Sequence, residues 1–315
     1  MKNLAFVFPG QGSQKVGMLS ELASQHTVVG QTFAEASDAL GFDLWKMVQE
    51  GPQETLNLTE HTQPMLLTAS VACWRVWEKT REERPVMLAG HSLGEFSALV
   101  CAGVIGFSDA VILVRNRGRY MQTAVPVGVG AMAAIIGLDD DVIREACEAS
   151  AGNQVVSAVN FNAPGQVVIA GHAEAVERAI DACKAAGAKR ALPLPVSAPF
   201  HTSLMKPAGE QLASDIDGLH FNAPTIPVVH NVHAQTESDP AAIKKLMVEQ
   251  IHSPVRWVEC VKTMVAHGVT TTVECGAGKV LSGLNKRIDS NLLCLATETP
   301  AEMEKTGEAL AAVVS

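Results

Sequence analysis

The sequence predicts an α/β fold in which a parallel-sheet domain is interrupted by an inserted ferredoxin-like subdomain. Three observations predict it. Short apolar runs alternate with helical patterns toward both ends of the chain, a β-α-β-β-α-β order occupies the middle, and a glycine-flanked serine directly follows one apolar run. We therefore expect residues 1–124 and 198–315 to form a large catalytic domain and residues 125–197 to form the insert.

Continuous apolar runs mark the strands of the large domain. The first run stops at Pro9 and Gly10, which is typical of a strand buried in a parallel sheet. The predicted strands are residues 4–8, 85–89, 226–229 and 271–274. The predicted helices are residues 65–77, 93–101 and 109–121. Such alternation places helices on the faces of the sheet.

The pattern changes near residue 125, where Pro126 and Gly128 supply boundary residues. The elements expected in the insert are, in order, strand 130–136, helix 140–149, strands 155–160 and 166–170, helix 173–186 and strand 190–196. Three prolines follow within or just after the last strand, at positions 193, 195 and 199. This order is the ferredoxin-like arrangement.

Composition and charge exclude several classes of protein. With 47% hydrophobic and 18% charged residues, the 315-residue chain has the composition of a globular protein. A formal net charge of −9 argues against an extended nucleic-acid surface, so an acidic partner would need a local basic patch. The first apolar run is too short for a signal peptide and no other reaches the length of a membrane span, so we expect a cytoplasmic protein.

Nothing in the sequence requires a metal or an organic cofactor. The seven cysteines form no C-x-x-C pair and are expected to be free thiols. His230 and His233 have the spacing of metal ligands but lack a carboxylate or cysteine partner at a fitting distance along the chain. The glycines and lysine at residues 276–279 do not complete a phosphate-binding loop, which argues against a nucleotidase.

Ser92 is the expected nucleophile. It lies in a G-x-S-x-G pattern at residues 90–94, between a predicted buried strand and an amphipathic helix. The alternative is a structural turn bounded by glycines. At the start of a helix, the amide of Leu93 and the helix dipole would stabilise an oxyanion, and the amide of Gln11 in the loop after the first strand is the candidate second donor.

A serine hydroxyl needs a neighbouring base, and His201 is the leading candidate among ten histidines. It lies downstream of the serine, in a proline-containing loop just after the insert. No Asp or Glu stands out as the group that would orient this histidine. A backbone or amide carbonyl could take that part.

Arg117 is the expected substrate-selecting residue. Its neighbours one turn away are largely apolar, which places the guanidinium on the buried side of its helix, whereas Arg115 and Arg119 are expected in solvent. A buried arginine needs an anion. Either an internal salt bridge or a free carboxylate on the acyl group would provide it.

These residues resemble the malonyl-CoA:acyl carrier protein transacylases of fatty-acid synthesis, which are related to the acyltransferase domains of polyketide synthases. The matching segments run in family order over nearly the whole chain. They are F-P-G-Q-G-S-Q at 8–14, T-Q-P at 62–64, G-H-S-L-G-E at 90–95, R-G-R at 117–119, N-F-N-A-P-G-Q at 160–166, S-A-P-F-H at 197–201 and E-C-G at 274–276.

The resemblance implies a hydrolase-like large domain with a ferredoxin-like insert. It implies that Ser92 carries the malonyl group, that His201 is the base, and that the main-chain carbonyl of Gln250 orients this histidine. It also implies that Arg117 holds the malonyl carboxylate and that Gln11 and Leu93 are the oxyanion donors. Phe200 resembles the malonyl-selective form, and the remaining implied substrate-binding residues are Gln63, Met121 and Asn160.

The implied reaction is a ping-pong transfer from malonyl-CoA to the phosphopantetheine thiol of acyl carrier protein, by a monomer that binds no nucleic acid and no membrane. Basic residues that could dock the acidic carrier are Lys189, Arg190, Lys286 and Arg287. The alternatives are a serine hydrolase or thioesterase, which would use water as acceptor, and a catalytically silent scaffold that binds acyl carriers. The resemblance leaves open whether fatty-acid or polyketide synthesis is supplied.

Overall fold

A computed structural model describes residues 3–312 of the chain. The strands in this part of the chain are β1 (Leu4–Phe8), β2 (Met87–Gly90), β3 (Gly130–Ile136), β4 (Val156–Ala163), β5 (Gln166–His172), β6 (Arg190–Pro193), β7 (Val228–Val229), β8 (Thr271–Glu274) and β9 (Leu293–Ala296). They form one sheet of five strands and one of four.

Helices connect and cover the strands. They are α1 (Ser20–Gln25), α2 (Thr27–Leu40), α3 (Leu44–Glu50), α4 (Gln53–Leu56), α5 (Thr59–Thr80), α6 (Leu93–Cys101), α7 (Phe107–Thr123), α8 (Asp140–Ala151), α9 (Ala173–Ala185), α10 (Lys206–Asp217), α11 (Pro240–Gln250), α12 (Trp257–Ala266), α13 (Val280–Ile288) and α14 (Pro300–Ala312). None of the helices within residues 3–312 is long and apolar enough to cross a membrane.

The large sheet is parallel and buried on both faces. Its order is β7-β2-β1-β8-β9, with β1 in the centre. Phe6 and Phe8 pack edge-on or tilted against Trp74 of α5 on one face, whereas Val7 packs in the cluster of Trp257 of α12 on the other. Burial of both faces explains why β1 reads as an uninterrupted apolar run.

The small sheet has the order β4-β5-β3-β6, and all of its strand pairs are antiparallel. This strand order and the two crossover helices α8 and α9 are the ferredoxin-like topology. Ile135 on β3 faces the core shared with α8 and α9, whereas Met132, three residues earlier on the same strand, joins the core of the large domain. One face of the small sheet therefore covers the carboxyl end of the large one.

A backbone bridge ties the edge strand β4 to the segment that follows α11. The amide of Phe161 donates to the carbonyl of Val255 at 3.0 Å, and the amide of Val255 donates to the carbonyl of Val159 at 2.7 Å. Because Gln250 ends α11, this bridge connects the small sheet to a segment that reaches the candidate active site.

The predicted fold class is confirmed, with differences in the extent of elements. Strand β2 begins at Met87 instead of residue 85, β6 ends at Pro193 instead of residue 196, and β7 has only two residues. Strand β9 lies at the sheet edge with Leu293 exposed, and this weak apolar signal is why the sequence did not predict it. The small sheet lies within residues 125–197, and the domain limits themselves stay a prediction.

Candidate active site

Ser92 occupies a sharp turn between β2 and α6, with φ 51° and ψ −109°. The flanking glycines permit this turn, because a Cβ on Gly90 would lie 1.9 Å from the backbone of Gly94 and one on Gly94 would lie 2.0 Å from the carbonyl oxygen of Phe8. The strand and the helix can approach this closely only without side chains. The G-x-S-x-G pattern is therefore explained by contact distances.

His201 faces the serine and is oriented from behind by a main-chain carbonyl. The Nε2 of His201 lies 2.8 Å from the Oγ of Ser92, and its Nδ1 lies 2.9 Å from the carbonyl oxygen of Gln250. Because that carbonyl can only accept, Nδ1 carries the proton and Nε2 presents a lone pair to the hydroxyl. His201 also has φ 61°, a conformation that non-glycine residues seldom adopt.

Burial and the nearby charge of Arg117 lower the pKa of His201 to about 3. The imidazole is therefore neutral at physiological pH, as a proton acceptor must be. A neighbouring carboxylate would raise this pKa, whereas the group that orients His201 here is the uncharged carbonyl of Gln250.

Arg117 is buried and reaches the same hydroxyl. Its Nη1 donates to Oε1 of Gln63 at 2.7 Å, and its Nη2 donates to Oε1 of Gln250 at 2.8 Å and to Oγ of Ser92 at 3.2 Å. All three acceptors are uncharged. Burial lowers the pKa of Arg117 to about 10, an effect that Glu95 opposes, so the guanidinium remains positive at neutral pH.

The position of Arg117 depends on close packing of α7 against α5. A Cβ on Gly118 would lie 2.5 Å from the carbonyl oxygen of Thr59, so only glycine allows this approach. The contact brings Gln63 of α5 within hydrogen-bond distance of the guanidinium.

The two other arginines of α7 differ in exposure. Arg119 is exposed as expected. Arg115 is half-buried, with its guanidinium 5.6 Å from the ring centre of Phe42, so the expectation that it lies in solvent is wrong.

A buried polar layer beneath Ser92 was missed by sequence reasoning. Oδ1 of Asn231 accepts from the amide of Ser92 at 2.9 Å, and its Nδ2 donates to the carbonyl of Gly90 at 2.7 Å. Glu95 accepts from Nδ1 of His230 at 2.6 Å and from the amide of Asn231 at 3.1 Å. The sequence contained one signal of this layer, which is the charged residue Glu95 within the apolar pattern of α6.

A cavity of about 130 Å³ opens onto the nucleophile. It lies between the two sheets, because Met132 comes from β3 and Ser92 follows β2. Its lining contains every predicted site residue except Gln250: Gln11, Gln63, Ser92, Leu93, Arg117, Met121, Asn160, Phe200 and His201. Gln250 lies behind His201 and Arg117.

Two further side chains of the cavity differ in how their polar atoms are satisfied. His91, which precedes the nucleophile, places its Nε2 2.7 Å from Oδ1 of Asn162. Oδ1 of Asn160 is buried and has no hydrogen-bond partner among the described residues. An unpaired buried acceptor beside a cavity is suited to a ligand N–H.

His230 is not placed as a metal ligand. Its Nδ1 contacts Glu95, and its ring lies edge-on to that of His233. Within residues 3–312 no three His, Cys, Asp or Glu side chains are grouped so that they could hold a metal ion. The seven cysteines are free.

The four basic residues proposed to dock a partner are exposed. Arg287 of α13 hydrogen-bonds to the side chain of Gln166 and, at 3.2 Å, to the carbonyl of Pro164 in the small domain. Lys286 donates to the carbonyls of Ser290 and Leu292. Arg287 therefore lies where α13 meets the turn between β4 and β5.

Comparison with known proteins identifies the family. A family model described as the acyl transferase domain matches residues 5–288. The malonyl CoA-acyl carrier protein transacylase of Salmonella typhimurium is 60% identical over 303 residues, which cover 96% of this chain and 98% of that protein. The chain belongs to the malonyl-CoA:acyl carrier protein transacylase family.

Solved structures of this transacylase family share the fold. The crystal structure of an acyl carrier protein S-malonyltransferase from Vibrio cholerae superposes with a TM-score of 0.96 at 59% identity and covers 97% of this chain and 100% of that one. A malonyl-transacylase in complex with a type II polyketide synthase acyl-carrier protein matches with a TM-score of 0.96 at 56% identity, over 98% and 100% of the two chains. Like its relatives, the chain is a transacylase-family enzyme.

Proposed function

We propose that this enzyme transfers malonyl groups from malonyl-CoA to the phosphopantetheine thiol of acyl carrier protein, through a malonyl ester of Ser92. The observation that carries the proposal is that His201 and Arg117 both contact the Oγ of Ser92, at 2.8 Å and 3.2 Å. One partner can take the proton of the hydroxyl, and the other can bind a carboxylate close to it. A thioester that bears a free carboxylate satisfies both.

In the first half-reaction, Nε2 of His201 takes the hydroxyl proton as Oγ of Ser92 attacks the thioester carbonyl. The tetrahedral oxyanion is stabilised by the amides of Leu93 and Gln11, both of which line the cavity. When the intermediate collapses, the carbon–sulfur bond breaks and the imidazolium returns its proton to the CoA sulfur. The products are malonyl-Ser92 and free CoA.

In the second half-reaction, the phosphopantetheine thiol gives its proton to His201 and attacks the acyl ester. The carbon–oxygen bond then breaks, and Oγ of Ser92 recovers the proton. The carbonyl of Gln250 keeps the Nδ1 proton of His201 in place throughout, at 2.9 Å. We infer that the unpaired Oδ1 of Asn160 accepts from an amide of the pantetheine arm.

Arg117 selects the acyl group in this proposal. Its hydrogen bonds to the described residues go to uncharged oxygens of Gln63, Gln250 and Ser92, so the charge remains available to the malonyl carboxylate. Phe200 and Met121 line the cavity with apolar side chains. We infer that Phe200 favours a malonyl group without a substituent on its central carbon. We also propose that the enzyme is a cytoplasmic monomer that supplies fatty-acid chain elongation.

The experiment is intact-protein mass spectrometry after mixing with malonyl-CoA, on wild type and on Ser92→Ala. A malonyl adduct on wild type alone, discharged faster by holo acyl carrier protein than by water, is the expected result. Equal loss to water would indicate a thioesterase. No adduct on wild type would indicate a scaffold that only binds acyl carriers.

A further inference from the structure

An uncharged side chain separates two buried charges beneath the nucleophile. Oε1 of Gln250 accepts from Nη2 of Arg117 at 2.8 Å, and Nε2 of the same amide donates to Oε2 of Glu95 at 2.9 Å. All three side chains are at most 1% exposed. The guanidinium and the carboxylate are therefore linked through one amide instead of forming a direct ion pair.

Glu95 is held by donors that need no charge of their own. They are Nδ1 of His230 at 2.6 Å, the amide of Asn231 at 3.1 Å and Nε2 of Gln250. Nδ1 of His230 carries a proton because its partner is a carboxylate oxygen, and Nε2 of His230 is buried without a partner among the described residues. Three donors therefore converge on the Glu95 carboxylate in the protein interior.

A direct contact between these charges would change what Arg117 can bind. In a water-poor site, opposite charges at contact attract strongly, and an incoming carboxylate would have to compete with Glu95 for the guanidinium. With the amide between them, Glu95 still supplies a counter-charge at longer range. The Nε of Arg117 also lacks a partner among the described residues.

We propose that the side chain of Gln250 is a specificity-determining positioning residue, a neutral spacer that holds Arg117 beside Ser92 and prevents an ion pair with Glu95. This role of the side chain is separate from the role of the Gln250 main-chain carbonyl, which orients His201. The inference rests on the proposed function, because it explains how a buried arginine remains free to bind a carboxylate on the acyl group.

The test exchanges the two side chains. The double variant Glu95→Gln/Gln250→Glu conserves net charge and size but moves the carboxylate next to Arg117. The ratio of acylation rates with malonyl-CoA and acetyl-CoA should fall at least about tenfold. In Glu95→Gln alone the spacer remains, and the ratio should fall far less. A swap variant that keeps the wild-type ratio, or a single variant that loses as much as the swap, overturns the proposal.

The ratio of the two acylation rates is the correct measure because the swap also removes a hydrogen bond to the main chain of Ser92. Nε2 of Gln250 donates to the carbonyl of Ser92 at 2.9 Å, so both thioesters should acylate the variant more slowly. That shared loss cancels in the ratio. Circular dichroism checks folding, and if the swap does not fold, Gln250→Glu alone carries the same expected fall in the ratio.

A binding measurement separates this proposal from the proposed function. Calorimetric affinities for malonyl-CoA and acetyl-CoA are compared in a Ser92→Ala background with and without the swap. Even if wild type transferred no acyl group, a preference for malonyl-CoA that the swap abolishes would support the spacer. A preference that survives the swap, or no preference before it, would overturn it.

Discussion

The guanidinium of Arg117 donates a hydrogen bond to the Oγ of Ser92, with Nη2 and Oγ 3.2 Å apart. A carboxylate bound by this arginine therefore lies close to the attacking oxygen. The same contact places a positive charge beside the site where the serine oxygen becomes negative during attack. Arg117 is thus placed to influence both which acyl group binds and how readily the serine reacts.

Arg117→Ala should abolish selection for a carboxylate. We expect acylation by malonyl-CoA to lose about 2–5 kcal/mol of transition-state stabilisation, because a buried charge partner of the substrate is removed. Acylation by acetyl-CoA should be affected less or improve, since the variant cavity no longer presents an unpaired charge. The measurement is kcat/KM for acylation with each thioester.

Arg119→Ala is the matched control, because Arg119 is exposed on the same helix. It should leave both rates near wild type. An unchanged malonyl-to-acetyl preference in Arg117→Ala would rule out Arg117 as the selecting residue.

The residues with local signals were predictable from sequence. Ser92 was visible because the two glycines that flank it form a pattern within five residues. A Cβ on Gly90 would lie 1.9 Å from the backbone of Gly94, and one on Gly94 would lie 2.0 Å from the carbonyl oxygen of Phe8. Arg117 was visible because helical periodicity put it on the apolar face of α7. The sequence left open whether an internal salt bridge holds it, and the contacts show uncharged acceptors instead.

The polar layer could not be predicted in the same way. Asn231 meets Ser92 across 139 residues, and the Gln250 side chain meets Glu95 across 155. Only the strand order brings these segments together, because β7 lies beside β2 at one edge of the large sheet. A two-residue strand such as β7 has too little pattern for this pairing to be read from the sequence.

The pH dependence of acylation should reflect the neutral state of His201. Because burial and Arg117 lower its pKa to about 3, the rate with acetyl-CoA should not fall between pH 8 and about 5. In Arg117→Gln a positive charge near the imidazole is lost, which favours the protonated form and raises the pKa of His201. The acidic limb of the rate profile should move to higher pH.

Acetyl-CoA is the correct substrate for this profile, since its acyl group has no titrating carboxylate. Rapid-quench acylation rates across the pH range give the limb directly, and Arg119→Gln serves as the control. A limb at the same pH in wild type and Arg117→Gln would contradict the coupling between Arg117 and His201.

Gly94→Ala should disrupt the turn that carries the nucleophile. Its Cβ would lie 2.0 Å from the carbonyl oxygen of Phe8, so β1 and α6 must move apart. We expect a loss of about 1–3 kcal/mol or more in the free energy of unfolding, and slower acylation.

The control variant is Gly30→Ala. Nothing lies within 4 Å of a Cβ built on Gly30 in α2, so alanine should raise the free energy of unfolding by about 0.4–1 kcal/mol. Urea unfolding compares the two, and equal stabilities would contradict the steric argument.

Acyl carrier protein should dock on four exposed basic residues, which are Lys189 and Arg190 at the start of β6 and Lys286 and Arg287 on α13. Reversing all four to Glu should lower kcat/KM for the holo carrier by about tenfold or more at low salt, and the difference should shrink at high salt as screening increases. The rate of acylation by malonyl-CoA should be measured in the same variant, because it shows whether the active site itself is damaged. This control is necessary because Arg287 also contacts Pro164 and Lys286 contacts Ser290.

The control for this charge reversal is Lys79→Glu/Arg84→Glu. Lys79 lies 16 residues along α5 from Gln63, about 24 Å of helix away from the cavity, and Arg84 precedes β2 at the end of the sheet opposite Ser92. If the carrier is guided electrostatically to the four basic residues, this pair should change kcat/KM far less per reversed charge than the four-residue reversal does. Equal effects per reversed charge would mean that only the overall charge matters, and no effect of the four-residue reversal at low salt would show that the carrier docks elsewhere.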